Sequence, residues 1–331
     1  MRIILNGIEI MYAVGKEFDP NMKLKSRFII RILALLWLVI FIAITWAWFD
    51  KQELAQLWHK LAMQPYWLLF MFFMYLTSFI LKAEAWRRYV EPREPLRVYF
   101  HGLIYSLLVN HLSPLKVGDL VRTGVLMKAT GKTWDDALHS VAAMRLLDLF
   151  ILGLFAGVGT VWFGLEASWL WIFLLLFGVI VAGFGYKMIG IKRLPFLQKH
   201  LSYLNATLIS SKGRSILALV AVSWICEAGV IYGVIQILKL HLPFISMIWV
   251  NSITIAGQVF HITPGAIGTY ESTLSGSLVV LGIDWKDAYA AAILSHGFKF
   301  IFSYSLGLYS FIRMPIKWNE IKLWFTHKKG V

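Results

Sequence analysis

Long apolar runs separated by short cationic segments organise this chain. A helix rising 1.5 Å per residue needs about 20 apolar residues to cross a bilayer. Six runs predict full spans: Ile32–Phe49, Tyr66–Leu81 continuing through Ala85, Ala137–Phe163, Trp169–Ile189, Ile216–Leu238 and Ala288–Phe311. Two further segments are shorter or interrupted. Val98–Leu112 stops at Ser113-Pro114, and Phe244–Ile262 stops at Thr263-Pro264. A second short helical stretch follows each break, over Gly118–Lys128 and Gly268–Ile283. Proline opens a helix well and interrupts one badly. Each pair therefore predicts two half-helices joined by a broken tip. The expected fold is an all-α polytopic membrane protein with about six full transmembrane helices and two re-entrant helical hairpins. Eight or more full spans is the alternative.

Composition agrees with this pattern. Of 331 residues, 59% are hydrophobic and 15% charged, and the mean hydropathy is +0.68. A soluble domain carries about 25% charged residues, so a water-soluble enzyme, a disordered chain and a disulfide scaffold are all poor fits. The net charge of +14 would suggest nucleic acid in a soluble protein. Here the cations sit between apolar runs, where positive-inside bias and anionic lipid headgroups explain them, and no nucleic-acid partner is expected. The single cysteine, Cys226, allows no intrachain disulfide. No small-residue cleavage site follows the first apolar run, which argues against a cleaved signal peptide.

Charge asymmetry sets an expected orientation. With residues 1–28 as a cytoplasmic segment and both hairpins returning to the side they entered, the cytoplasmic loops hold most of the cations. Among these are Lys82, Arg87, Arg88, Arg93, Arg97, Lys128, Lys212, Arg214 and Arg313. The outer loops hold only Lys51, Lys60, Lys239 and Lys286. The expectation is a multi-pass inner-membrane protein with both termini cytoplasmic. A membrane domain would cover residues 29–313, and a basic tail residues 314–331. Met22, which opens Met22-Lys23-Leu24-Lys25, reads as an alternative start.

The two broken segments resemble each other. His111, Ser113, Pro114 and Gly118 recur as His261, Thr263, Pro264 and Gly268, each 150 positions later. Trp134-Asp135-Asp136-Ala137 recurs as Trp285-Lys286-Asp287-Ala288 after 151 positions. This predicts a duplication, with repeats at about residues 65–163 and 216–312. On the expected topology one hairpin enters from each side, so the copies are inverted. Inverted repeats with broken helices at the midplane are characteristic of transporters. A purely structural bundle has no need of unpaired peptide groups at that depth.

Charges at membrane depth are the informative side chains, since each costs roughly 2.5–3.5 kcal/mol on insertion scales. Arg145 lies about 12 Å into its span by helix rise, with Asp148 on the same face. The two read equally as a pair that locks packing or as part of a ligand site. His296 and Lys299 occupy the same depth in the second copy. With no acidic partner in their own helix, they predict either an anion site or pairing with Glu271 or Glu227. Glu227 lies mid-span and could equally make one buried hydrogen bond. At the tips, Lys116 and Arg122 flank Gly118 and Asp119. Helix starts after Pro114 and Pro264 offer free N–H groups, and Gly265 and Gly268 permit close approach to the backbone. A phosphate or carboxylate is the ligand these features suit. Neither His111 nor His261 has a second ligand at helical spacing, so no metal or other cofactor is expected. Asp135-Asp136 reads as first-turn helix charge, and no nucleotide-binding or hydrolase motif occurs.

Taken together, Pro114-x-Lys116-x-Gly118-Asp119-x-x-Arg122, Arg145-x-x-Asp148 and Pro264-Gly265-x-x-Gly268-x-x-Glu271 resemble the lysylphosphatidylglycerol synthetase transmembrane-region family. These are flippase-like integral membrane proteins, and the likeness covers roughly residues 28–313. Lys116 stands where the family pattern has Arg, Asp119 where it has Glu, and His296 or Lys299 where the last span has Arg. The resemblance implies translocation of a phosphate-bearing lipid, or a role in lipid-linked envelope biosynthesis beside partner enzymes. The substrate head would be anionic or zwitterionic. Large members add a soluble aminoacyl-transferase domain. This chain stops 18 residues after its last span, so that activity is not expected of it. A membrane-embedded transferase acting on a polyprenyl-phosphate or phospholipid, or a scaffold for such an enzyme, is the alternative.

Overall fold

The computed structural model describes residues 49–90, 94–113, 117–165, 210–258 and 263–315, together with residues 39, 43, 45 and 46. The predicted span Trp169–Ile189, most of Ile32–Phe49, and Met22, Pro114, Lys116 and His261 lie outside the described residues, as does all but the start of the basic tail. What is described is helical throughout. The helices are α1 (Lys51–Ala62), α2 (Pro65–Val90), α3 (Leu96–Leu112), α4 (Gly118–Thr130), α5 (Trp134–Trp162), α6 (Ser211–Ile237), α7 (Phe244–Gly257), α8 (Thr269–Val280) and α9 (Trp285–Arg313), with a 3-10 turn at Pro264–Ala266.

The protein is an all-α polytopic membrane protein. Among the described residues, α2, α5 and α6 are long and apolar enough to cross a membrane. At 29 residues α9 is equally long. It is less apolar because its inner face carries His296 and Lys299, both buried, while Ile301, Leu308, Phe311 and Ile312 remain exposed on its outer face.

Local chemistry sets the helix ends. Thr133 caps α5 by accepting from the Asp136 N–H, and Ser210 caps α6 by accepting from the Gly213 N–H. Asp135 and Asp136 fall in the first turn of α5, where negative charge suits the helix dipole. Gly131, at φ 65°, closes α4 in the left-handed conformation that favours glycine. That cap carries α4 two residues beyond the predicted Lys128. The segment after Phe49 is a helix where a loop with Lys51 and Lys60 was expected. Asp50 and Glu53 form a reciprocal capping box at its start.

Among the described residues, the eight helices after α1 fall into two sets of four. Their lengths run 26, 17, 13 and 29 residues, then 27, 14, 12 and 29. The centre of the bundle is α2 against α6. Gly229 and Gly233 of α6 leave room for Met74 and Met71 of α2, with no space for a side chain at either glycine. Around this pair, α3 packs on α9 and α7 packs on α5, so each set's broken helix pair docks on the long final helix of the other.

The two broken pairs open toward opposite ends. At one end the α2 C-terminus meets the starts of α6 and α5 through Arg88–Ser215 and Tyr89–His139. Lys128 of α4 and Tyr105 of α3 reach Pro315 and Met314 beyond α9. At the other end Glu53 of α1 pairs with Lys286 at the start of α9, at 2.6 Å, and Trp249 of α7 donates to Thr160 near the end of α5. Inside the bundle α3 contacts the 264–266 turn. A further expectation needs correction. Lys82 is not a loop cation: α2 continues to Val90, and Lys82 is buried within it.

If glycine size sets the α2–α6 approach, Gly233→Val should destabilise the purified protein by about 1–3 kcal/mol through overpacking. Gly276→Ala, whose added methyl meets nothing within 4 Å, should leave the thermal transition unchanged or raise it. Thermal unfolding in detergent distinguishes the two.

Candidate functional site

Broken helices and small residues leave a cavity of about 170 Å3 lined by residues of α2 to α9 and of the 264–266 turn. A single water needs roughly 10–15 Å3 by this measure, so the space takes a polar group with its hydration. Tyr75, Phe79 and Trp86 form part of an aromatic wall, and Lys82, Arg122, Arg145, Asp148, Glu227 and Lys299 supply charge.

One network joins the first hairpin to α5. Arg145 grips Asp119 with two parallel hydrogen bonds, Nε to Oδ2 and Nη2 to Oδ1, each 2.9 Å. Paired contacts of this kind are the strong form of an Arg–carboxylate interaction. Arg122 Nε lies 3.2 Å from the same carboxylate, and its Nη2 donates to the Val141 carbonyl. The Arg122 side chain is 3% exposed and lies over the Trp86 ring, whereas that of Arg145 is 40% exposed. Arg145 is therefore the guanidinium a ligand can reach. Its expected partner, Asp148, is 3.8 Å from Nη1 and accepts instead from Trp224 Nε1 at 2.9 Å. At the tip, Asn110 Oδ1 accepts from the Gly118 N–H. A side chain at Gly118 would collide with the Ser106 carbonyl and Asn110, so only glycine fits this helix start.

A second network joins α2, α6 and α9. Glu227 accepts from Lys82 at 2.6 Å and from Lys299 at 3.0 Å, one lysine on each oxygen. Lys82 Nζ lies 3.4 Å from the centre of the Trp224 ring, while Lys299 faces the rings of Tyr75 and Tyr270. Aromatic faces stabilise an ammonium taken out of water. Trp224 thus links the networks, with its ring under Lys82 and its N–H on Asp148.

A third group fixes the second tip. His296 Nδ1 is 2.7 Å from Glu271 Oε1, and Nε2 is 2.9 Å from the Gly265 carbonyl. The other Glu271 oxygen accepts from the Gly268 N–H at 2.6 Å. Gly265 and Gly268 have φ 61° and 84°, a region closed to most side chains, and Phe300 fills the space a side chain at 265 would need. Pro264 opens the 3-10 turn.

Of the residues singled out in the sequence, Gly118, Asp119, Arg122, Arg145, Asp148, Pro264, Gly265, Gly268, Glu271, His296 and Lys299 fall in these three groups. Lys299 takes Glu227 and His296 takes Glu271, which resolves the choice of acid left open above. Lys82, Trp224 and Asn110 are additions. Lys82 resembled the start of a cationic loop because Arg87 and Arg88 follow it. Only the helical register of α2, set against Glu227, turns it inward. Among the described residues no group of three or more His, Cys, Asp or Glu side chains is assembled for a metal.

The family model described as lysylphosphatidylglycerol synthase TM region matches residues 28–307. The chain belongs to this family. No curated protein and no solved structure matches it. The matched range takes in every charged group described above, so the three networks belong to the family's membrane region rather than to an appended segment.

Asp119 serves two guanidiniums, whereas Arg145 is one of two that it serves. Asp119→Ala should therefore destabilise the protein more than Arg145→Ala, by up to about 3–5 kcal/mol where it strands the buried Arg122. The double variant should be less damaged than the sum of the two. Thermal unfolding of the three proteins closes that cycle.

Proposed function

We propose that this membrane protein translocates a phosphate-bearing lipid, or a lipid-linked intermediate, by binding its head in the charged cavity while the tails stay in the bilayer. The observation that carries this reading is a charge imbalance. Arg122 and Arg145 are balanced by Asp119 and Asp148. Lys82 and Lys299 share the single carboxylate of Glu227. Within these two networks one positive charge is left over beside a half-enclosed space, and an anionic head would supply a counter-ion for it.

The remaining features fit the same reading. The two sets of four helices are an inverted repeat, and the broken pairs are hairpins that re-enter the membrane from opposite sides. Arg87, Arg88, Arg97, Lys128, Lys212, Arg214 and Arg313 crowd one end of the bundle, which supports reading that end, and both termini with it, as the cytoplasmic side of an inner membrane. Lys116, two positions before Gly118 in the sequence, would add a further cation for an arriving head. Rocking one hairpin and its long helix against the other would expose the cavity to each leaflet in turn. Membrane lipids with anionic or zwitterionic heads are the ligands, and envelope-biosynthesis enzymes that make or use them are the partners.

The test is transfer of a headgroup-labelled anionic phospholipid between leaflets of proteoliposomes. The wild-type chain should accelerate it. Arg145→Ala combined with Glu271→Ala should remove the acceleration, and Lys299→Gln should reduce it by roughly tenfold, the worth of one charge-assisted contact. Unchanged transfer in the combined variant would discard the assigned site.

A further inference from the structure

The two tips are held by equivalent clasps that differ in one chemical respect. In each set the acid lies in the first turn of the short helix after the break, Asp119 on α4 and Glu271 on α8. In each set the base is the twelfth residue of the long helix that follows, Arg145 on α5 and His296 on α9. The first clasp is a fixed-charge pair, because a guanidinium does not lose its proton. The second contains a histidine, whose ordinary titration range spans neutrality.

The hydrogen bonds of the second clasp can be counted in protons. A carbonyl only accepts, so Nε2, facing the Gly265 oxygen, carries a hydrogen. Nδ1 faces a Glu271 oxygen, and one further hydrogen must lie between them, on the ring or on the carboxyl. With that proton present, every contact is a donor meeting an acceptor. Remove it, and a ring lone pair opposes either the carboxylate or the Gly265 carbonyl. Add another, and Glu271 carries an O–H although both its oxygens already accept, from Nδ1 and from the Gly268 N–H. Either change weakens the clasp, by setting a lone pair against an acceptor or by leaving an O–H with no acceptor. The tip is also under backbone strain, since Ala266 as well as its neighbour Gly265 has positive φ, so it is poised to move when released.

We propose that Glu271 and His296 form a single-proton latch, which holds the second hairpin tip closed with one shared proton and releases it when that proton leaves or a second arrives. Proton binding thereby controls the tip that lines the cavity. The latch does not depend on which ligand the cavity takes.

Among the described residues, the following groups surround the pair. On α8, Tyr270 stacks on the imidazole at 4.1 Å. On α9 itself, Lys299 lies one turn on, turned toward Glu227 of α6, which also holds Lys82 of α2. Tyr75 of α2 faces Lys299. On α3, the His111 ring is 6.3 Å from that of His296, with its Nδ1 at the Leu107 carbonyl. On the far cavity wall stand Arg122, Arg145 and Asp148. From α1 the contact is uncharged: Trp58 covers Gly297.

Hydrogen–deuterium exchange of the full chain in detergent, without added lipid, tests the latch. Backbone protection over residues 264–275 is followed from about pH 5 to 8 and corrected for the intrinsic pH dependence of exchange. Wild type should lose protection there by roughly tenfold or more on leaving its optimum, while α6 stays protected. His296→Arg, which copies the fixed charge of the first clasp, should flatten the profile. His111→Gln should keep it. A flat wild-type profile would overturn the proposal, as would an unchanged profile in His296→Arg or its loss in His111→Gln. The wild-type curve is decisive even if a variant folds poorly. Failure here leaves the lipid reading intact, and failure of lipid transfer leaves the latch intact.

Discussion

A carboxylate shared by two ammonium groups in the middle of an apolar bundle is the constraint on which this structure turns. Lys82, Glu227 and Lys299 come from three helices, and each is buried. A lone charge at such depth costs several kcal/mol, and a pair roughly breaks even. Three charges of two signs leave one unbalanced, which is tolerable only where water or a counter-ion reaches it. The aromatic faces of Trp224, Tyr75 and Tyr270 soften the cost, and the adjoining cavity admits the rest. The broken hairpins follow from the same need. Continuous helices would fill the centre, whereas paired half-helices leave breaks at which the Gly118 and Gly268 N–H groups and the Gly265 carbonyl are met by Asn110, Glu271 and His296.

Function follows from how charge is divided around that centre. The first hairpin and α5 form a neutral four-membered network, with Arg145 as the member turned toward open space. The second hairpin is closed by a histidine clasp of equivalent position. The trio centred on Glu227 carries the excess charge and links the two sides through Trp224. A ligand that neutralises the trio would touch groups from both halves of the chain, and those halves dock on each other through their final long helices. That arrangement lets a bound head influence the packing of one half on the other.

Much of this was legible in the sequence because it follows period and spacing. The apolar runs located α2, α5, α6 and α9. Proline and glycine at 114–118 and 264–268 located the two breaks. Arg145, Asp148, His296 and Lys299 stood out as charges within apolar runs. Partner choice was harder to read, since Arg145 takes Asp119 from another helix in preference to Asp148 on its own. Lys82 was hidden by its neighbours: a lysine five residues before Arg87-Arg88 looks like the end of a span, and only the contact with α6 shows otherwise. The helix over 51–62 was missed because its stabilisation comes from a capping box and from docking on α9, neither of which shows as an apolar run.

The central claim is that both tips meet within the membrane around a wet, charged cavity. Depth and water accessibility of single cysteines at Leu107 and Ile267, in a Cys226→Ser background, measure this most directly. The account predicts that both sites lie at similar mid-bilayer depth, close together, and react with a small water-soluble thiol reagent. Sites found at opposite membrane margins, with unreactive hydrocarbon between them, would contradict it.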